Sequence, residues 1–232
     1  MKIGLSNSIS SNVWNPTSSN GLEFWFARNT GITADSGTKK ISSWSNFANP
    51  TETMVQATAG EQPQLVGDAV DFDGGDNLQS STQYTFTGSF VIGIIFEIED
   101  ADASNDVLVG DNTSSNNFLR LNDTNTVAIK TTGSARSLDI DTPAAFAQDT
   151  VYSFVYARDG SDVCRCWING VLQVDTVTSA GDFLVDAIGV RATDLHDFSG
   201  KMWELIAYKD NYSLELVGYI NDHLERFRTE ML

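Results

Sequence analysis

The sequence is poor in the residues on which nucleophilic and metal chemistry depend. Two cysteines and two histidines stand in 232 positions, and fourteen basic residues face thirty-one acidic ones. Cys164 and Cys166 lie two apart in a strand-like segment, which points both thiols to one face. That spacing is poor for a disulfide, and a zinc site would need a second pair or histidines beside them. Two reduced, core-facing cysteines are expected. His223 belongs to a helical pattern. His196 sits between Asp194 and Asp197, which are surroundings of a surface side chain rather than of a base activating Cys164 or Cys166. Phosphate-loop, dinucleotide and zinc-protease spacings are missing.

Basic clusters are missing as well. With a net charge of −17 and no run of Lys and Arg, the surface repels phosphate backbones and anionic membranes. Neither nucleic acid nor a membrane is an expected partner. Such acidity favours solubility and can supply cation sites. No apolar run approaches the ~18 residues needed to span a bilayer. Met1-Lys2-Ile3-Gly4-Leu5 gives way at once to Ser6, Asn7, Ser8 and Ser10, without the apolar centre of an export signal. Synthesis in a reducing cytoplasm is the expectation.

What the chain does contain is enough for a folded body: 41% hydrophobic and 19% charged residues, in a length that one β-sandwich can fill. Residues 1–20 are rich in Ser and Asn, with Ile3, Leu5, Ile9, Val13 and Trp14 as their apolar members. They read as an extended arm that lies along its own domain or reaches a neighbouring subunit. Residues 21–232 read as the domain.

Strand signals recur through that domain, separated by Gly, Asn, Asp, Ser and Thr. They fall on residues 23–27, 69–73, 89–98, 107–110, 117–121, 126–130, 151–158, 162–168, 171–174, 183–190 and 201–208. In 89–98, Phe90, Ile92, Ile94, Phe96 and Ile98 share one face while Val91, Ile95 and Glu97 take the other. Both faces are apolar enough to predict a central strand. Asn169-Gly170 is the strongest two-residue hairpin signal, and Asp159-Gly160 predicts a hairpin joining 151–158 to 162–168. One helix closes the chain. Ser213 suits its N-cap and Glu215 its first turn, and Leu214, Val217, Ile220, Leu224 and Phe227 form one apolar face. Its expected place is the rim of the sandwich. The predicted fold class is all-β, a two-sheet antiparallel jelly-roll sandwich with an N-terminal arm and one C-terminal helix.

Specific stretches then match a family pattern. They are Gly21-Leu22-Glu23-Phe24-Trp25-Phe26-Ala27, Ile41-Ser42-Ser43-Trp44-Ser45-Asn46, Gln56-Ala57-Thr58 with Gln62-Pro63-Gln64-Leu65, and Val70-Asp71-Phe72-Asp73-Gly74 with Asp76-Asn77-Leu78. Arg158-Asp159-Gly160, Ile168-Asn169-Gly170, Gly189, Phe198-Ser199-Gly200 and Glu204-Leu205-Ile206-Ala207-Tyr208 follow in order. The chain resembles the laminin-G-like, or concanavalin A-like, jelly rolls over most of residues 21–228, in the version found in tailed-phage structural proteins. The Ser-rich start resembles leaders on such domains. The resemblance implies a fold more firmly than an activity, because most of these positions are turns and core.

It also implies where to look for chemistry. Some enzymes of the superfamily cleave β-glucans with paired carboxylates on one strand. The nearest counterpart is Glu97 and Glu99, which share a face but lack the family motif. No catalytic residue is therefore expected. Asp100 and Asp102 in one acidic loop, with Asp73 and Asp76 in another, are the candidate calcium ligands, and no other cofactor is expected. Of five tryptophans, Trp14 is the one expected to be available to a partner, alongside Ile9 and Val13.

The resulting expectation is a noncatalytic structural or adhesion protein of a virion, made in the host cytoplasm. It would be a capsid decoration or a tail or fibre component, homo-oligomeric or array-bound, and docked on other virion proteins through its arm. The alternative is a lectin-like module recognising a surface glycan, with or without calcium. A glycoside hydrolase is the third reading.

Overall fold

A computed structural model describes residues 14–100, 104–192 and 197–232. Two antiparallel sheets face each other, and one helix, Leu214–Met231 (α1), follows them. In spatial order the first sheet holds Val171–Leu172 (β15), Val163–Ile168 (β14), Val151–Arg158 (β13), Phe90–Ile98 (β8), Ser199–Lys209 (β18), Ala69–Asp73 (β6) and Gln64–Val66 (β5). Leu22–Phe26 (β1) pairs with the later half of β18, and Val177–Thr178 (β16) pairs with β14. The second sheet runs Arg136–Asp139 (β12), Thr126–Lys130 (β11), Ser114–Asp123 (β10), Asp106–Asp111 (β9), Phe183–Ile188 (β17) and Leu78–Phe86 (β7). Thr53–Val55 (β4), Ile41–Ser45 (β3) and Ile32–Ala34 (β2) complete it. The predicted two-sheet sandwich with a single closing helix is the observed one.

The strand read as central is central. β8 lies between β13 and β18 and is buried along nearly its whole length. Phe90, Ile92, Ile94, Phe96 and Ile98 enter the core between the sheets, where they meet Phe24, Trp44, Phe72 and Phe154. Cys164 and Cys166, on β14, are buried free thiols in that same core. The Asn169-Gly170 turn takes two positive φ angles, 51° and 73°, and pairs Trp167 with Leu172 and Ile168 with Val171. Those two angles are the reason for an Asn followed by a Gly.

The helix sits elsewhere than expected. It crosses the outer face of the first sheet, over β13 and β8, rather than the rim. Val91, Ile95, Val155 and Ile206 point away from the main core and join Leu216, Val217, Ile220 and Leu224 in a second apolar cluster. A sheet whose middle strands are apolar on both sides has to cover the second side, and a helix laid across it covers more than one at an edge. Gly93 sets the approach. A Cβ there would stand 2.7 Å from Ile220 Cγ2 and 3.0 Å from Leu224 Cδ1. Ser213 caps the helix by accepting the Leu216 N–H at 3.0 Å. Leu214 is 70% exposed, because the buried stripe runs through Leu216, Ile220, His223 and Leu224 and leaves Leu214 off it.

Residues 14–20 pack on the domain. Pro16 is buried, the Tyr208 hydroxyl donates to its carbonyl oxygen at 2.6 Å, and Asn211 donates to the Asn20 carbonyl at 2.6 Å. The earlier part of the arm lies outside the described residues. Strand β7 was not among the predicted strands: Gln79, Ser80, Ser81, Thr82 and Gln83 are polar on both faces, and only Leu78, Tyr84 and Phe86 mark its buried side.

Candidate functional site

Beside the last turns of α1, the end of β1 opens a cleft of about 470 Å3 lined by Trp25, Arg28, Phe47, Asp68, Glu204 and Phe227. The backbone builds one wall. Trp25 N–H donates to Asn46 Oδ1 at 2.9 Å, and Phe47 N–H donates to the Trp25 carbonyl at 2.7 Å. These bonds clamp the 46–47 turn to β1 and set the two rings edge to face, with centroids 4.9 Å apart. Phe47 is 49% exposed, a large apolar ring held out into solvent by a rigid turn.

The other wall is polar and fully braced. Glu204, 1% exposed on β18, accepts the Trp25 indole N–H at 2.7 Å, and His223 Nε2 lies 2.7 Å from the same oxygen. Asp68 accepts from Arg28 Nε at 2.6 Å and from Trp203 Nε1 at 3.0 Å. Arg28 also reaches Glu230 at 4.0 Å, and its Cζ stands 5.9 Å from the Phe227 ring centre. Glu230 stands exposed at the cleft's edge, while Glu204 and Asp68 are anchored by donors on the protein side. Such groups are poorly free to move a proton and well placed to hold a fixed set of acceptors. An aromatic pair beside guanidinium and carboxylate groups matches a ligand with an apolar face and hydroxyl edges.

The residues singled out in the sequence lie elsewhere. Glu97 and Glu99 do share a face, and Lys201 bridges them at 2.8 and 2.6 Å. Burial works against the ammonium, but hydrogen bonds to both carboxylates outweigh it and hold Lys201 above the ordinary lysine value. Asp73 and Asp76 meet at one turn, with Asp76 Oδ2 3.4 Å from the Asp73 N–H, and Lys40 Nζ lies 3.6 Å from Asp76 Oδ1. Burial first, then the charge of Asp73, raises the Asp76 carboxyl to about 6. Asp100 follows β8 and Asp73 ends β6, on opposite sides of the start of β18. Asp102 lies outside the described residues, as do Ile9, Val13 and His196. Among the described residues no group of three or more His, Cys, Asp or Glu is placed to hold a metal ion.

Trp14 lies on its own domain. Its ring stacks on Tyr219 with centroids 5.9 Å apart and meets Tyr208 and His223, while Nε1 donates to Ser19 Oγ at 3.1 Å. A lone aromatic in a polar segment loses most water contact by lying on the nearest apolar seam, here the junction of helix and sheet. The cysteines are unsuited to attack: burial pushes Cys166 up to about 12 and raises Cys164 in the same direction.

Of the cleft residues, Trp25, Glu204 and Phe227 register in the sequence only as strand or helix positions, and Phe47, an isolated aromatic within Ser45-Asn46-Phe47-Ala48-Asn49-Pro50, is not singled out. Arg28, Asp68, Glu204 and Phe227 are far apart in the chain, and only the pairing of β1 with β18 and the crossing of α1 bring them together.

Neither a protein-family model nor a curated protein sequence matches the chain. Solved structures do match in fold. A Trypanosoma rangeli sialidase matches with 10% identity and a TM-score of 0.58, over 92% of this chain and 33% of its own. The binding domain of Paraclostridial Mosquitocidal Protein 1 matches with 11% identity and a TM-score of 0.56, over 91% of this chain and 52% of its own. Domain 4 of AbnA, a GH43 extracellular arabinanase of Geobacillus stearothermophilus solved with arabinotriose, matches with 15% identity and a TM-score of 0.53. There the overlap is 86% of this chain and 98% of the other, whereas the chain spans a third of the sialidase. At these identities the likeness is one of architecture, a β-sandwich; a link to phage particles finds no counterpart among these neighbours.

Proposed function

We propose that the protein is a noncatalytic carbohydrate-binding module whose cleft beside α1 takes a sugar unit of a glycan. The observation that carries this reading is the rigid pairing of Trp25 with the half-exposed Phe47, opposite Arg28, Asp68 and Glu204. A pyranose or furanose ring has one face of C–H groups for the aromatic wall and hydroxyls for the polar one. The bracing of the acids supports the noncatalytic reading: Glu97 and Glu99 are tied by Lys201, and Glu204 and Asp68 by the indoles and Arg28. The arabinanase domain of similar extent, solved with arabinotriose, makes arabino-oligosaccharides the first ligands to try.

The virion role expected from the sequence depended on the arm. Its described part, from Trp14 onward, packs on the domain, so docking by the arm would fall to residues before it. The glycan reading therefore comes first. Calorimetry of the whole chain against arabino- and gluco-oligosaccharides, with and without chelator, tests it. Binding is expected in both conditions, with no hydrolysis products. Phe47→Ala, which alters an exposed ring, should weaken binding about tenfold at unchanged melting temperature. Silence across a broad glycan array sinks the reading, and unchanged affinity in both Phe47→Ala and Arg28→Ala removes the cleft from it.

A further inference from the structure

The second sheet has an outer face too, and no helix among the described residues covers it. There Val107, Phe118 and Ala128 form a small apolar cluster across β9, β10 and β11, apart from the main core. Two arginines share the Phe118 ring. Arg120, two residues along β10, places its Cζ 4.6 Å from the ring centre, and Arg191, from the segment after β17, places its own at 4.9 Å. Gly110 makes room for the second: a Cβ there would stand 2.8 Å from the Val190 carbonyl oxygen and 3.0 Å from Arg191 Cβ.

Most other arginines of the chain have acceptors or open solvent: Arg136 is exposed, and Arg226 lies over the Phe227 ring with its Nη2 3.5 Å from His223 Nδ1. Arg28, Arg165 and Arg228 each meet a carboxylate. Arg158, wholly buried, donates to the carbonyls of Phe86, Thr87, Gly88, Ser179 and Gly181. Arg120 and Arg191 differ on both counts. Among the described residues neither has a carboxylate within ion-pair distance, in a chain with thirty-one acidic residues to draw on. Arg120 donates once, to Asn122 Oδ1 at 2.7 Å, and Arg191 once, to the Ser115 carbonyl at 3.0 Å. Their Nε atoms are buried without a hydrogen-bond partner. A guanidinium has five N–H donors, so most of each fork is unmatched.

The electrostatics run the same way. Burial first, then the charge of Arg191, lowers the affinity of Arg120 for its proton, and burial does so at Arg191. Two like charges kept together in partly desolvated surroundings are costly unless an anion joins them. Stacking on an aromatic ring holds a guanidinium plane and leaves its edge to donate to two oxygens of an oxyanion.

We infer that Arg120, Phe118 and Arg191 form an oxyanion site on the open sheet face, one that takes the carboxylate or sulfate group of an acidic saccharide. A net charge of −17 repels a dense polyanion, whereas a sparse charge on a polyol feels mainly the local arginine pair. The site lies on the opposite side of the sandwich from the Trp25 cleft and stands whether or not that cleft binds sugar.

The test titrates the whole chain, at low ionic strength, with an oligogalacturonate, a sulfated oligosaccharide, a neutral arabino-oligosaccharide and sodium sulfate. At least one acidic saccharide is expected to bind, more weakly as salt is added. Arg120→Gln and Arg191→Gln should each weaken that binding about tenfold, whereas the exposed-site change Arg136→Gln should leave it unchanged. Arg120→Lys and Arg191→Lys keep the charge but lose the fork, and should fall between. Thermal melts of every variant verify the fold. No binding of any acidic saccharide to the wild-type chain overturns the inference, and so does sulfate binding without saccharide binding. Wild-type affinity in folded Gln and Lys variants overturns it as well. Loss of neutral-glycan binding in Phe47→Ala alone reports on the cleft and not on this site.

Discussion

The two outer faces of the sandwich are built from the same kind of strand and end in opposite ways. On the first sheet, Val91, Ile95, Val155 and Ile206 are apolar and lie under α1. On the second, the corresponding positions of β10, β11 and β17 include Arg120, Lys130 and Leu184, and nothing in the described structure covers them. The first face contributes stability and frames one side of a cleft at the helix end. The second is left as surface, where a binding group can sit without a helix to displace. A strand that is apolar on both sides therefore predicts a cover, and one that alternates predicts an open face.

That contrast can be broken most directly with two leucines. Leu224, wholly buried between α1 and the sheet, should cost about 2–5 kcal/mol when changed to Ala. Leu184, on the open face of β17, should cost under about 1 kcal/mol for the same change. Denaturant melts of the pair measure both, and equal costs would erase the distinction drawn between the faces. A subtler probe is Gly93→Ala, whose new methyl would press on Ile220 and Leu224. Overpacking of this kind should cost about 1–3 kcal/mol, and a neutral result would mean that α1 can lift away freely.

The smallest effect concerns charge in the turn that leads from β6 to β7. Asp76 is buried with its carboxyl raised to about 6, above the unfolded value of ~3.9. The folded state thus holds the extra proton. Its contribution favours folding below about pH 4 and is lost as pH rises through about 6. Asp76→Asn should accordingly be more stable than wild type above pH 6, and the advantage should vanish towards pH 4. A stability difference that is flat with pH would show that Lys40, 3.6 Å away, outweighs the burial.

Much of this could be read before any coordinates. The strand signals at 126–130 and 151–158 match β11 and β13 to the residue, and Asn169-Gly170 placed a hairpin. β7 escaped because a strand with polar residues on both sides has no period to read. The position of α1 escaped for a different reason. Its apolar stripe shows that it packs, and a stripe cannot say on what.

The apolar strand segments, the Asn-Gly turn and the identity of the closing helix were therefore properties of the sequence alone, because each depends on neighbours within a few residues. The cleft and the arginine pair were decided only by tertiary structure. Arg28 meets Glu230, and Arg120 meets the ring that Arg191 also covers, through strand pairings and a helix crossing that join distant segments. Local periodicity fixes which side of an element is apolar, while the partner that covers that side is selected by the packing of the whole chain.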